Sequence, residues 1–436
     1  MKKNYILFFQ EIDSKDLPLV GGKGANLGEM TKAGFPVPGG FCVTTEGYKE
    51  FISHNNLADF ISRVIQDASL GNISQVGAAI REKLKQSSIP EQVKEEIIAA
   101  VRKAGADLAY AVRSSATAED LPFASFAGQQ DTYLNVKGEE SILDAVRNCW
   151  ASLFTDRAIL YRIQNNIKHE MVHMSVIVQE MVLPEVSGIM FTADPVSGHR
   201  GIISIDAGYG LGEALVSGLV SADIYKFRKS TGRIESKIIA EKNLAIIPLE
   251  GGGTQRIELS EEKSVSQVLS DSLITEVAEL GMAIEGHYGC PQDIEWCLSP
   301  ANSQTGNSGS AGEACALTLS IVQSRPITSL FPLPQPLPQD EALHAYVSFN
   351  HFQVMTNPIS PLGIDMLRTI ANFDQGARSA EEYKYMKSAA GRIYLDLSHL
   401  LQHKRFRKIF PLFLQNADAL MAAALSELIN RPGFVQ

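Results

Sequence analysis

Val20-Gly21-Gly22-Lys23-Gly24-Ala25-Asn26-Leu27-Gly28-Glu29-Met30 sets one lysine inside a run of glycines that leads into an apolar, helix-like segment. Glycine allows positive φ and close approach of the backbone to a ligand, and the N–H groups at a helix start attract anions. A lysine there adds a mobile point charge suited to phosphate. The same stretch also reads as a glycine-rich turn before a surface helix. It is not a Walker A loop, because Lys23 is followed by Gly24 rather than Ser or Thr, and the glycine spacing misses the dinucleotide fingerprint. The choice between these readings depends on the rest of the chain.

The chain has 436 residues, enough for two or three domains, with 45% hydrophobic and 20% charged residues, the balance of a globular protein. Its net charge of -10 argues against a general nucleic-acid-binding role and leaves room for a local basic site for a phosphorylated ligand. Cys42, Cys149, Cys290, Cys297 and Cys315 form no C-x-x-C pair, which argues against a zinc ribbon or a disulfide scaffold. The N-terminal apolar run Tyr5-Ile6-Leu7-Phe8-Phe9 is stopped by Gln10, Glu11 and Asp13, and reads as a first strand rather than a signal peptide. No apolar stretch is long enough to cross a bilayer, so a cytoplasmic protein without membrane partners is expected.

Residues 1 to about 110 mix strands with helices, including an amphipathic run carrying Val93, Ile97, Ile98 and Val101. Strands are expected at Ser175–Glu180, Gly188–Thr192, Gly201–Asp206, Asp223–Arg228 and Ile234–Ala240. Residues 300 to 313 have linker composition and are expected to form a loop inserted between two strands. The run Phe331-Pro332-Leu333-Pro334-Gln335-Pro336-Leu337-Pro338 marks a stiff hinge and a domain boundary. A helical-looking segment follows, with Met366, Leu367, Ile370, Phe413, Leu420 and Leu425.

Several clusters could carry chemistry. The apolar run Leu108–Val112 places Arg113 at a strand end, where a guanidinium offers a bidentate fork to phosphate; a surface salt bridge is the alternative. Next come Gly128, suited to a flexible flap tip, and Thr132, whose hydroxyl can reach an anion. Gln179-Glu180-Met181-Val182 ends an alternating strand, Val176–Val182, and offers an amide and a carboxylate beside two backbone groups, as needed to read an adenine edge and a ribose. Polar residues at a strand end are also common without function. In Asp293-Ile294-Glu295-Trp296 the period of two aims both carboxylates one way and Ile294 and Trp296 toward the core. Two parallel carboxylates suit Mg²⁺ on nucleotide phosphates; an exposed polar face is the alternative. Gln323 and Arg325 likewise share a face, so two neighbouring strands would gather Asp293, Glu295, Gln323 and Arg325 in one place.

His169-Glu170-Met171-Val172-His173 has the form H-E-x-x-H, which binds zinc only on a helix. Here it runs into the β-branched Ser175-Val176-Ile177-Val178, so a loop before a strand is expected instead of a metal site. Asp194-Pro195-Val196-Ser197-Gly198 and Gly208-Tyr209-Gly210-Leu211-Gly212-Glu213 suit either ligand approach or tight turns.

Taken in order, these segments resemble the ATP-binding domain of the pyruvate phosphate dikinase and phosphoenolpyruvate synthase superfamily. The carriers are the Gly21–Met30 stretch, Phe35-Pro36-Val37-Pro38-Gly39-Gly40-Phe41, Val112-Arg113-Ser114-Ser115-Ala116, Gln179–Val182, Gly188-Ile189-Met190-Phe191-Thr192-Ala193-Asp194-Pro195, Tyr209–Glu213, Asp293–Trp296 and Gln323-Ser324-Arg325-Pro326, spanning roughly residues 4 to 328. The resemblance implies an α/β (α+β) fold with an ATP-grasp-like nucleotide-binding domain over 1–328, a Pro-rich linker over 329–340 and an incomplete, mainly helical acceptor domain over 341–436. The last of these rests on Phe349-Asn350-His351-Phe352-Gln353-Val354-Met355-Thr356-Asn357-Pro358-Ile359-Ser360-Pro361-Leu362-Gly363, which resembles the start of the antibiotic-binding domain of rifampicin phosphotransferases.

The resemblance also implies ATP and Mg²⁺ as cofactors. Lys23 and Arg113 would hold phosphates, Gly128 and Thr132 would complete the cradle, and Gln179, Glu180 and Val182 would read adenine. Asp293, Glu295 and Gln323 would take Mg²⁺, and Gln323 with Arg325 would close the site. In this family ATP phosphorylates a histidine on a swivelling domain, which passes the phosphate to a small-molecule acceptor, rifampicin or pyruvate. None of the nine histidines lies in the family's Thr-x-Ser/Cys-His-Ala context. The expectation is therefore an N-terminal portion that binds Mg·ATP and needs a separate phosphohistidine domain to complete transfer. A non-catalytic ATP-binding module is the competing expectation.

Overall fold

A computed structural model describes residues 4–434, apart from 67–70, 118–119, 122–123, 126–131, 166, 301–316, 331, 334–343, 350–356, 372–384, 416–417 and 432–433. The chain divides into two compact units, Met1–Thr328 and Ser329–Gln436. The first unit mixes helices with two antiparallel sheets, an α/β (α+β) architecture.

Its strands are β1 (Ile6–Phe8), β2 (Gly40–Val43), β3 (Ala109–Ala116), β4 (Asp120–Leu121), β5 (Ala124–Ser125), β6 (Thr132–Lys137) and β7 (Met174–Glu180). They continue as β8 (Val186–Phe191), β9 (Ile202–Tyr209), β10 (Asp223–Arg228), β11 (Arg233–Ile238), β12 (Leu244–Pro248), β13 (Thr254–Glu258), β14 (Gln292–Pro300) and β15 (Leu317–Pro326). One sheet has the order β1-β2-β7-β3-β6 and the other β11-β10-β9-β8-β14-β15, while β4 with β5 and β12 with β13 form separate hairpins.

The burial of each strand follows its place in a sheet. β7 is central, and every residue from Met174 to Gln179 is buried, so it is covered on both faces. The expected alternation over Val176–Val182 is absent there, and the strand ends at Glu180, leaving Val182 in the following segment. β14 alternates as expected: Ile294 and Trp296 are buried, while Asp293 and Glu295 are half-buried. β3 runs on through Ser114, Ser115 and Ala116, which places Arg113 in mid-strand rather than at a strand end. These three small residues are all buried, so the strand continues where packing rather than propensity supports it.

Helix α1 (Leu17–Lys32) carries the glycine-rich stretch and is broken at Gly21, which has φ 69 and ψ 174. The lysine therefore follows a kink between two helical pieces, not a loop before one helix. The helix Glu91–Gly105 buries Val93, Ile97 and Val101 with the first sheet, together with Phe51 and Trp150. The helix Asp271–Tyr288 is capped by Ser270, whose side chain accepts from the Leu273 N–H, and ends at Gly289 in the left-handed region. It buries Ile274, Val277 and Ile284 in a second core that includes Tyr225, Ile294 and Trp296 of the second sheet and Val20, Leu27 and Met30 of α1. Cys42, Cys149, Cys290 and Cys297 are free thiols; Cys315 lies outside the described residues.

The second unit has a small antiparallel sheet of β16 (Tyr346–Ser348), β17 (Met386–Ala389) and β18 (Arg392–Asp396), in the order β16-β18-β17. Its helices are Pro361–Ala371, Ser398–Gln402, Lys404–Gln415 and Ala419–Ile429. Leu362, Met366 and Ile370 form an exposed stripe along the first of these, and Ile409, Leu412 and Phe413 are exposed on the third. Among the described residues no helix is long and apolar enough to cross a membrane.

Candidate functional site

The site is built where the two sheets of the first unit meet. β14 and β15 pair in a register that sets Asp293 opposite Arg325 and Glu295 opposite Gln323. Arg325 Nε and Nη2 both donate to Asp293 Oδ2, at 2.9 and 2.7 Å. Burial nevertheless holds the Asp293 carboxyl above its ordinary pKa, outweighing Arg325, and Glu295 pushes the same way. Gln323 is buried beside them.

Arg113 reaches this cluster from the first sheet. Its Nη2 donates to Glu295 Oε2 at 2.9 Å and its Nη1 to the Val322 carbonyl at 3.1 Å, with side-chain exposures of 16% and 22% for Arg113 and Glu295. Within its own sheet Arg113 lies opposite Thr132 on one side and Ile177 on the other. Gln179 pairs with Ala111, two residues along, and so shares a face with Ile177 and Arg113. Arg113, Thr132, Gln179, Asp293, Glu295, Gln323 and Arg325 are thus brought to facing sheet surfaces.

Lys23 joins them because α1 is pressed against β3. Its Nζ donates to the Ser114 carbonyl at 3.2 Å, next to Arg113, and the Gly24 N–H donates to Ser115 Oγ at 3.3 Å. A Cβ on Gly21 would lie 2.4 Å from Ser115 Oγ, and one on Gly24 2.9 Å from Cys42 Sγ. These glycines are needed for packing against protein, which the ligand-approach reading of the stretch did not anticipate. Asn26 Nδ2 donates to the Ser324 carbonyl at 3.0 Å, tying α1 to the strand that carries Gln323 and Arg325. Sequence reading quoted Asn26 without giving it a role; a polar side chain among the apolar positions of a helix was the available signal.

Gln179 is 2% exposed and its Nε2 has no hydrogen-bond partner among the described residues, an unusual state for a buried donor. Glu180 donates its N–H to the Gly39 carbonyl at 2.8 Å, and its carboxyl has a raised pKa, chiefly from burial. Gly39 makes room for it, since a Cβ there would lie 2.5 Å from Glu180 Oε1. A cavity of about 450 Å³ opens beside Glu180–Leu183, walled opposite by Pro248–Glu250 and flanked by Asn135 and Lys137. Its lining includes Glu180 and Val182 but not Lys23, Arg113 or the β14–β15 cluster. Gly128 lies outside the described residues, as does the segment 301–316 between β14 and β15.

The donor set suits a hard divalent cation: two carboxylates and one amide oxygen on adjacent strands, with cationic side chains for the phosphates it would bridge. Each arginine donates to one oxygen of its carboxylate, Arg113 to Glu295 Oε2 and Arg325 to Asp293 Oδ2, so a cation could use the other oxygen of each. Among the described residues no group of three or more His, Cys, Asp or Glu could hold a metal alone, so phosphate oxygens would complete the coordination.

The H-E-x-x-H segment is not helical through both histidines. His169–Met171 is one 3-10 turn before β7. His169 Nδ1 accepts from Arg162 Nε at 2.8 Å, and the His173 N–H donates to Thr117 Oγ1 at 3.2 Å. Burial, aided by Arg162, lowers the His169 pKa to about 4.

The family model described as pyruvate phosphate dikinase, AMP/ATP-binding domain, matches residues 17–335. Rifampicin phosphotransferase of Bacillus subtilis is 44% identical over 99% of this chain and 47% of that protein. Rifampicin phosphotransferase of Streptomyces sviceus is 41% identical over 99% of this chain and 47% of that protein. Phosphoenolpyruvate synthase of Pyrococcus furiosus is 43% identical over 76% of this chain and 44% of that protein. The chain spans about half the length of these relatives. With the family match covering the whole arrangement of Lys23, Arg113 and the β14–β15 cluster, the chain belongs to the pyruvate phosphate dikinase AMP/ATP-binding domain family.

Proposed function

We propose that residues 1–328 bind Mg·ATP as the nucleotide-binding part of a dikinase-type phosphotransferase. The observation that carries this reading is the convergence of Arg113, from one sheet, on Glu295, which stands opposite Gln323 in the other. Buried and half-buried charges are retained in such a cleft when they serve a ligand of mixed charge, since unpaired they are costly.

In this reading Lys23 and Arg113 hold the polyphosphate, with Gly128 and Thr132 completing the cradle. Gln179 offers its free buried Nε2, and Glu180 and Val182 their segment beside the cavity, to adenine and ribose. Asp293, Glu295 and Gln323 would hold Mg²⁺, which supplies charge neutralisation between the phosphates. Arg325, swung from Asp293, would close on the terminal phosphates. Positioning and electrostatic stabilisation are the chain's contribution, the terms that dominate phosphoryl transfer.

The overall reaction assigned is ATP, acceptor and water giving AMP, phosphate and phospho-acceptor, by way of a phosphohistidine domain separate from these residues. Rifampicin is the acceptor we assign, because the match to rifampicin phosphotransferases extends over 99% of the chain, while that to the Pyrococcus synthase covers 76%. Pyruvate is the second reading, favoured by the identity shared with that synthase. Calorimetric titration of Mg·ATP into the wild type, Lys23→Ala and Glu295→Ala tests the nucleotide reading. Saturable binding lost in both variants supports it, and an inert wild type refutes it.

A further inference from the structure

A separate observation concerns the hairpin β12–β13 and the residue that fastens it. In the β3·β6 ladder Tyr110 pairs with Val136 and Val112 with Tyr133, so Leu134 and Asn135 together oppose Ala111. Asn135 is the extra residue of this bulge and has φ 55, a left-handed backbone that few side chains adopt. It is 1% exposed, and its amide is spent on the hairpin tip. Nδ2 donates to the carbonyls of Leu249 and Gly253, both at 2.7 Å, while the Gly253 N–H donates to the Asn135 carbonyl at 3.0 Å. Lys137 Nζ adds a bond to the Glu250 carbonyl.

The orientation of this amide is forced, because a flipped Oδ1 would face two carbonyl oxygens. Oδ1 is left buried without a partner among the described residues. Asparagine is among the few side chains that adopt a left-handed backbone readily, so the unusual feature is the buried acceptor, and such unsatisfied groups call for an explanation beyond stability. Midway along β12 the hairpin is held by the main chain: the Leu211 N–H donates to the Ile246 carbonyl at 2.8 Å. The hairpin thus links the Gly210–Leu211 segment that follows β9 to β6 of the first sheet, and its Pro248–Glu250 segment walls the cavity beside Glu180–Leu183.

We propose that Asn135 is a positioning residue that latches the hairpin tip onto β6 and thereby fixes the wall of the cavity that receives the nucleoside end of the nucleotide. The inference rests on the nucleotide reading above and extends it to a residue that touches no phosphate. The test compares Mg·ATP with Mg·tripolyphosphate, by calorimetry, on the wild type, Asn135→Gly and Lys137→Met. Glycine keeps the left-handed backbone and removes only the amide, and Lys137→Met loosens the same tip without touching the bulge. Asn135→Gly is expected to weaken Mg·ATP by about tenfold, the scale of losing two neutral hydrogen bonds, with Lys137→Met showing a smaller loss. Mg·tripolyphosphate affinity should stay unchanged, and amide exchange over 249–253 should rise in both variants.

Equal losses for both ligands would mean general disruption and would overturn the latch. So would wild-type Mg·ATP affinity in Asn135→Gly, the nucleotide reading then surviving. A wild type that binds no Mg·ATP overturns both.

Discussion

Glu295 is the most informative position to perturb, because its charge faces both Arg113 and, in the proposed complex, the cation. It accepts from Arg113 Nη2 at 2.9 Å in a half-buried setting, and in the proposed complex it holds Mg²⁺ while Arg113 turns to phosphate. A hydrogen bond to a charged group contributes about 1.5–3 kcal/mol. In wild type without Mg²⁺, ATP must break that bond and bring its polyanion beside the Glu295 carboxylate. E295Q removes the negative charge and leaves Arg113 only a neutral amide oxygen to donate to, so Mg-free ATP should bind more tightly by about 1.5 kcal/mol, or roughly one power of ten in Kd. With Mg²⁺ present the variant lacks a ligand to the cation, and binding should weaken by a similar factor. The ratio of Kd without and with Mg²⁺ should therefore fall by about a hundredfold, a coupling between two ligands read at one residue. The assay is calorimetric titration of ATP in EDTA and in excess Mg²⁺. A shift of the same size and sign in both conditions would refute the reasoning, since it would make Glu295 a structural residue.

Other perturbations test the scaffold. Gly21→Ala forces a side chain to φ 69 and sets its Cβ 2.4 Å from Ser115 Oγ, so urea unfolding should report a loss of about 2–4 kcal/mol. Lys242 and Asp223 form an ion pair 1% and 0% exposed, in which Asp223 also accepts from the Tyr225 hydroxyl and the N–H groups of Ala240 and Val268. Lys242→Met leaves that carboxylate buried without its counter-charge and should cost about 3–5 kcal/mol in thermal or urea denaturation. His169 is held neutral in the fold, with its pKa lowered from 6.5 to about 4. The unfolded chain binds more protons between those values, so this contribution is present above pH 6.5 and is lost as pH falls toward 4. His169→Gln keeps an acceptor for Arg162 and should flatten the stability slope across that window, read by urea titrations at its two ends.

Much of the site was legible from local pattern. The two-residue period of a strand set Asp293 with Glu295 and Gln323 with Arg325 on common faces, and β14–β15 has that pattern. Two neighbouring strands were expected to gather these four residues, and the structure supplies the antiparallel register that puts Asp293 across from Arg325. Misreadings arose where tertiary cover overrides local preference. Arg113 looked like a strand end because Ser114-Ser115-Ala116 are weak strand formers, yet they are buried, with Ser115 packed under Gly21 of α1. The alternation expected over Val176–Val182 is hidden because Ser175 and Gln179 are as buried as their apolar neighbours in a central strand.

Strand period by itself determined the residue types facing the candidate site, because it depends on neighbours two positions away, and the resemblance carried by the ordered motifs implied the family and with it the α/β class. Only the tertiary structure decided which charges meet. Arg113 and Glu295 are 182 residues apart and touch through the facing of two sheets. Gly21 is required by Ser115 of a strand far along the chain, and Asn135 takes a left-handed backbone to reach carbonyls more than a hundred residues away. Such contacts follow from packing, which no local window of sequence contains.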